Sequence, residues 1–526
     1  MKCKIQVVIC GLCSKTPEVL DTGRLASIAA DTSMVASVMV VDKLCNQKTV
    51  KEIVQEARVK EVDRAVVLPC PRRDVTPLLV AAYGRVGVHD SLVEMVNLVE
   101  EVLLPHRNDR EGAQAKAEAM LRAALARMTA LTQLEMASEN MRTKNVVIIG
   151  AGASGLEAAS VASGMGAHTI LLEKTGKSLK APDVLLSSAR LVGAAGYGGN
   201  FTLTIEVGEV LEELQCAAIV VATGGGWTQL RGPLAKTCKG AKTIYELHGQ
   251  TEADDAAVNG PLVVVDTPDP KGATMKAQDF AWEETLDIVV RLKRARPEVE
   301  IWVVFQEMRA FGLAELTYKE ACDLGVRFVR YAQSSPPKID PGRPDVLNVK
   351  DLAQDETVAI RFGTIAFASI PPNPDNQLIA DILRLPMSED GAIRRGSVQR
   401  GPVSTPRPGI FVCGSALFPK TQAMAVTEGR AAGAMAGEFA MRGTVEYGGS
   451  VAVVDPDKCS ACLTCVRTCP YEAPFFGETG KAEIRQQLCQ GCGMCAGICP
   501  SKAIQILNRT DDQIRTEAST LMGGVH

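Results

Sequence analysis

The chain has 526 residues and a formal net charge of −4. That length calls for three or four domains. The slightly acidic balance offers no field for nucleic acid or an anionic membrane surface, and no apolar run reaches the ~18 residues of a membrane span. Seventeen cysteines follow a start, Met1-Lys2-Cys3-Lys4-Ile5, without a secretory pattern. A reducing, cytoplasmic setting is expected, where clustered thiols hold metal rather than pair as disulfides.

The first 105 residues alternate strands (Ile5–Ile9, Ala36–Val41, Arg64–Leu68) with helices (Arg24–Ala30, Val50–Val59, Thr76–Tyr83), an αβ domain. Cys10, Cys45 and Cys70 each follow a strand, and Cys13 completes a C-x-x-C with Cys10. The carboxyl ends of parallel strands share one edge of the sheet. Four thiols meeting there suit a [4Fe-4S] cluster; zinc or plain buried cysteines are the alternatives. Residues 106–143 read as a linker helix, from about Gln114 to Met136. Its stripe of Leu121, Leu125, Met128, Leu131 and Leu134 fits core or dimer packing.

From 144 to 250 the pattern is that of a dinucleotide-binding domain. Val146–Ile149 is a continuous β-branched strand, as buried parallel strands are. It enters Gly150-Ala151-Gly152-Ala153-Ser154-Gly155, followed by an alanine-rich helix and a second strand ending in Glu173, 23 residues past Gly150. Glycines permit the turn and close approach of a pyrophosphate, the helix N-terminus attracts it, and the acid suits a ribose hydroxyl. Two later turns favour FAD over NAD: Ala222-Thr223-Gly224 after strand Ala217–Val221, and Gly414-Ser415 after Gly409–Cys413. A helix beginning near Thr421 would point its positive end at the flavin. Candidate cofactor residues are Gly150, Gly152, Ala153, Ser154, Gly155, Glu173, Lys174, Ala222, Thr223, Gly224, Gly414, Ser415, Lys420, Thr421, Gln422 and Ala423.

Residues 251–365 read as a second Rossmann-like domain without a fingerprint. Strand Pro261–Asp266 leads to Thr267-Pro268-Asp269-Pro270-Lys271-Gly272. Residues 366–447 return to the FAD domain. Cys216 and Cys413 read as small buried hydrophobes. Cys3, Cys238 and Cys322 have no partner at ligand spacing.

From 448 to 526 the chain is a ferredoxin domain and tail. The run Cys459-x-x-Cys462-x-x-Cys465-x-x-x-Cys469-Pro is repeated as Cys489-x-x-Cys492-x-x-Cys495-x-x-x-Cys499-Pro. In this pattern the fourth cysteine of each run ligates the other cluster. One [4Fe-4S] set is then Cys459, Cys462, Cys465 and Cys499, the other Cys489, Cys492, Cys495 and Cys469. Zinc knuckles or disulfides are the rival reading. The expected class is α/β: an N-terminal αβ cluster domain, a thioredoxin-reductase-like pair of dinucleotide domains, and an α+β two-cluster ferredoxin.

This order of domains resembles that of the A subunits of heterodisulfide reductases. The resemblance rests also on Pro69-Cys70-Pro71-Arg72, Glu173-Lys174-Thr175, Met308-Arg309-Ala310-Phe311-Gly312 and Pro419-Lys420. It implies one FAD and three [4Fe-4S] clusters, the N-terminal one included, with Lys420 near flavin N5 as the catalytic candidate. It implies a flavin-based electron-bifurcating subunit that links a two-electron donor to ferredoxin and a higher-potential acceptor. Implied partners resemble the B and C subunits of those enzymes, an iron–sulfur adaptor, and a hydrogenase, formate dehydrogenase or methylenetetrahydrofolate reductase; a homodimer is compatible. Long members insert a second ferredoxin domain and carry cysteines in the flavin domain. Ser178–Ser187 and Asp269–Ala277 here have none, so this is a short form. A non-bifurcating relay, or an NAD(P)H-dependent flavin oxidoreductase, are the other functions in play.

Overall fold

The computed structural model describes residues 3–523 except 12–19, 70–74, 177–179, 181, 226–232, 239, 245, 248–257, 267–274, 369–374, 390, 397–400 and 419. It divides into two compact units, Met1–Ser138 with Glu446–His526, and Glu139–Val445.

The first unit contains a parallel sheet in the order Val35–Val41, Ile5–Cys10, Arg64–Leu68, Val93–Met95. Three strands lie where the β-branched runs place them. The fourth has three residues, too few to show a period. Ile5–Cys10 is buried along its whole length. The helix read as a linker is observed over Arg110–Ala130, and its stripe packs into this core: Ala113, Ala117, Leu121, Leu125 and Met128 are buried with the sheet residues. It also stops earlier than its leucine stripe suggests. Leu131 is extended (ψ 148°), because the Arg64 guanidinium donates to the carbonyls of Met128 and Leu131, the latter at 2.7 Å. A cation satisfying the last carbonyls ends a helix in the way an isolated stripe cannot reveal.

The ferredoxin segment belongs to the same unit. Helix Asp511–Leu521 packs on Arg110–Ala130. The Asn508 side chain accepts from the Thr132 amide (3.0 Å) and donates to its carbonyl (2.7 Å), and Gln513 donates to Ala130 O at 2.8 Å. The ferredoxin fold itself is two antiparallel strand pairs, Ala452–Val454 with Ile504–Ile506 and Pro474–Phe476 with Ala482–Ile484, and two short helices that pack on each other, Thr464–Thr468 and Met494–Ile498.

The second unit builds one plan twice. A parallel sheet runs Ile410–Val412, Ala218–Val221, Asn145–Ile149, His168–Glu173, Val184–Ser187. A second runs Lys242–Thr243, Thr364–Phe367, Leu262–Val265, Ile301–Phe305, Arg327–Arg330. Each is accompanied by a three-stranded antiparallel sheet, over residues 189–216 and 338–361. Continuous burial of Ala218–Val221 and Leu262–Val265 is what parallel strands covered on both faces require.

Candidate functional site

The eight ferredoxin cysteines sit in two loops of matching backbone. The residues flanking the second cysteine of each run are left-handed: Ala461 and Leu463 (φ 56° and 57°), Gly491 and Gly493 (φ 60° and 80°). Left-handed residues turn amides inward to face an anion. Holding them at Ala461 and Leu463 costs about 1 kcal/mol each. Cys469, Cys489, Cys492 and Cys495 line one cavity, closed by Ala452, Tyr471, Ala473 and Ile506. The four come from two runs, as the crossed pattern expects. Cys495 shows their proximity: burial, then the Cys489, Cys469 and Cys492 sulfurs, push its thiol up to about 11. Cys465 lies near Cys462 and Cys459, and its thiol is raised, mainly by burial. The described cysteines form no disulfides with one another. No group of three or more His, Cys, Asp or Glu among the described residues is arranged to hold a single ion. The four-thiol cavity suits a cluster better than zinc, whose thiolates would stand only about 3.8 Å apart.

The dinucleotide turn lies at the end of strand Asn145–Ile149. Gly150 has φ 109°, and a Cβ there would run into the Ala222 carbonyl; one at Gly155 would strike the Gly150 carbonyl. Gly152 has open space where its Cβ would stand. It is the N-cap of helix Ala153–Gly164 and, having no side chain, gives no cap hydrogen bond. The first amides of that helix are therefore free of a side-chain cap beside an open cradle, the arrangement that receives a pyrophosphate. Ser154 is buried, as is Glu173, whose Oε1 accepts from the Thr175 amide (2.7 Å) and hydroxyl (2.6 Å). Lys174 is ion-paired with Asp375, and Thr223 donates to Asn376 at 2.7 Å. Ala222 is buried and Gly224 has φ 75°.

The second turn packs on the first. Gly414 (φ 65°) leaves no room for a Cβ beside Ser154, and Gly429 and Gly433 of helix Gln422–Met441 press on the backbone of Ser154 and Ala158. Ser415 is buried. Thr421 caps the helix by accepting from Met424 N (3.3 Å), and the Gln422 amide donates to buried Glu284 at 2.8 Å. The helix end expected to face a flavin thus already has a carboxylate, which the local sequence could not show because Glu284 comes from helix Met275–Ala295. Ala423, with Thr421 and Gln422, lines an adjoining cavity that Glu284 also borders. Lys420 is not a solvated loop lysine. Its side chain is 0% exposed and ion-paired with Glu428. Burial lowers its pKa, and Glu428 works in the opposite direction. Cys413 is buried beside them, its thiol pushed up to about 12, first by burial.

In the N-terminal sheet, Cys10 ends its strand and pairs in register with Val41 of the neighbouring strand, four residues before Cys45. The other two candidates, Cys13 and Cys70, lie outside the described residues.

The fold and these sites define an iron–sulfur oxidoreductase component built on paired dinucleotide-type sheets. The family described as "4Fe-4S dicluster domain" matches residues 452–500, and "Alanine dehydrogenase/PNT, C-terminal domain" matches 112–223. Over most of its length the chain is similar to the A subunits of heterodisulfide reductases. It is 23% identical over 598 residues to the second iron–sulfur A subunit of the CoB–CoM heterodisulfide reductase of Methanopyrus kandleri, covering 89% of this chain and 90% of that protein. With the A subunit of the H(2):CoB-CoM heterodisulfide,ferredoxin reductase of Methanothermobacter marburgensis the values are 22% over 609 residues, 91% and 92%. These alignments are longer than the 526 residues of this chain, so the relatives carry insertions that it lacks, as a short form requires. The match to the A subunit of the Ferredoxin:CoB-CoM heterodisulfide reductase of Methanosarcina acetivorans is 29% over 229 residues and spans 28% of that protein. Lactococcus lactis thioredoxin reductase aligns at TM-score 0.39 and 18% identity, over 57% of this chain and 99% of that one. Among the described residues no helix is long and apolar enough to cross a membrane.

Proposed function

We propose that this chain is the flavin-bearing component of a multi-subunit oxidoreductase, where an electron pair from a partner is divided between a low-potential and a higher-potential one-electron route. The observation that carries the reading is the presence on one chain of an uncapped dinucleotide turn with buried Lys420 and a cavity lined by four ferredoxin cysteines. FAD, when bound, supplies exchange between electron pairs and single electrons. The chain's own residues do the rest. Gly150, Gly152 and Gly155 open the pyrophosphate cradle, with Ala153 and Ser154 at the head of its helix. Glu173 and Lys174 stand at the ribose end, and Ala222, Thr223, Gly224, Gly414, Ser415, Thr421, Gln422 and Ala423 form the remaining wall. Lys420 holds a positive charge beside the ring, where it stabilises negative charge on reduction.

Two clusters are assigned to the crossed ferredoxin sets and a third to Cys10, Cys13, Cys45 and Cys70. Cluster potentials cover roughly −700 to +450 mV, wide enough for one chain to serve both routes. A ferredoxin is the proposed low-potential acceptor. Partners resembling the B and C subunits of heterodisulfide reductases, with an iron–sulfur adaptor and a hydrogenase, formate dehydrogenase or methylenetetrahydrofolate reductase, would supply the donor and the second acceptor.

The cysteine-free stretches Ser178–Ser187 and Asp269–Ala277 favour a second reading, a relay without bifurcation. The two separate when the reduced, cofactor-loaded chain is offered oxidised ferredoxin and a higher-potential disulfide or quinone together. Bifurcation delivers equal numbers of electrons to both; a relay sends them all to the higher-potential acceptor.

A further inference from the structure

Helix Gln422–Met441 brings Glu428 to the loop between strand Ile410–Val412 and the helix itself. One carboxylate oxygen serves two partners there: the Lys420 ammonium, and the Gly414 amide at 3.0 Å. The Lys420 side chain is 0% exposed and Glu428 is 15% exposed. The ammonium also lies 3.8 Å from the centroid of the Phe418 ring. Gly414 abuts Ser154 at the head of the pyrophosphate-type helix, so the ion pair sits where the two cofactor turns meet. The other titratable groups acting on Lys420 are Cys413 and Arg395. Cys413 is pushed up to about 12 and is neutral at ordinary pH, so it supplies no counter-charge; Arg395 disfavours the charged lysine. Glu428 is therefore the carboxylate that keeps a desolvated ammonium charged. A buried cation deprived of its partner sheds its proton rather than bear the desolvation cost.

We propose that Glu428 is a positioning residue that keeps Lys420 protonated whether the neighbouring flavin is oxidised or reduced, so that reduction draws in no extra proton at this lysine. The proposal rests on the reading of Lys420 as the lysine beside FAD. With Glu428 in place the positive charge is constant, and the electron pair meets the same field on arrival and departure. Without it, Lys420 would be neutral beside oxidised flavin and would take up a proton when negative charge appears next to it.

Glu428→Gln is the direct test, because its amide oxygen can still accept from Gly414 while the charge is gone. The readout is the flavin midpoint potential as a function of pH, between about pH 6 and 9, in the FAD-loaded chain. The expected result is a steeper dependence than in the wild type, corresponding to one further proton per electron pair. The double variant Lys420→Arg/Glu428→Gln should restore the wild-type slope, since a guanidinium stays charged at any accessible pH. An unchanged slope in Glu428→Gln overturns the proposal. Lys420→Met separates the two readings: if it leaves the potential where it was, Lys420 is not beside the flavin and the functional reading fails. If it shifts the potential while Glu428→Gln changes nothing, only the present proposal fails. Should Glu428→Gln not fold, Lys420→Met/Glu428→Gln is expected to fold and hold FAD, because the unpaired buried charge is gone. Failure of that variant as well would overturn the pairing.

Discussion

The two five-stranded parallel sheets of the second unit share the order of four strands and an antiparallel companion sheet. They differ in the edge strand, which comes last in the chain in one (Ile410–Val412) and first in the other (Lys242–Thr243). The ends of their central strands are chemical opposites. Asn145–Ile149 ends in Gly150, whose left-handed backbone admits the chain to an open, uncapped helix start. Leu262–Val265 ends in Asp266, a buried carboxyl. Asp266 accepts from Trp282 Nε1 at 3.1 Å, and the Tyr331 hydroxyl donates to its carbonyl at 2.8 Å. One strand leads to a helix start without a side-chain cap; the other ends at a buried acid. A shared order of strands therefore does not imply an identical ligand.

That contrast can be broken at several points. The largest effect is expected from Asp266→Asn. Burial, partly countered by the Trp282 hydrogen bond and Arg309 and reinforced by Glu307, raises the Asp266 pKa from 3.8 to about 7. The folded chain then holds this proton more tightly than the unfolded one, so stability falls as pH rises from about 4 to about 7 and stays lowered above that. Asn can accept the same indole hydrogen bond without ionising. At pH 8 Asp266→Asn should be more stable than the wild type by up to about 4 kcal/mol, and near pH 4 the two should coincide. Urea melts at both pH values check this; equal stability at pH 8 would mean that the acid is not a buried burden.

Gly150→Ala probes the other strand end. The added methyl meets the Ala222 carbonyl on a backbone of φ 109°, so a loss of roughly 3 kcal/mol and of bound flavin is expected. Thermal melts and the flavin absorbance of the purified variant report it. The smallest effect is no effect. NADH or NADPH alone should not bleach the flavin of the isolated chain. Rapid bleaching would mean that the second sheet, or another surface, takes a nicotinamide, and the contrast would fall.

What was legible in the sequence was local. The two cysteine runs, the Gly150–Gly155 turn and the β-branched strands signal within a few residues of themselves, and the structure has strands and helices there. What was hidden was made by residues far apart. Arg64 ends a helix some 60 positions away by taking its last carbonyls. Asn508 and Gln513 join the ferredoxin segment to the helix that looked like a linker. Neither leaves a period or a motif. Glu428 was eight residues from Lys420 and still passed unnoticed. It falls on the second turn of an alanine- and glycine-rich helix, and only the folded chain shows that Lys420 pairs with it. Strands over 189–216 were not anticipated; the structure places Gly196 (φ 90°) and Gly199 (φ 96°) at or beside the tight turn between two of them.

An anaerobic redox titration of the purified chain, with flavin absorbance and paramagnetic signals followed together, tests the central claim most directly. The account predicts bound FAD, about twelve iron atoms per chain in three clusters, and flavin absorbance that passes from oxidised to fully reduced in a single two-electron step. A flavin signal that instead resolves into two well-separated one-electron steps would contradict division of an electron pair on this chain, and would leave it a relay.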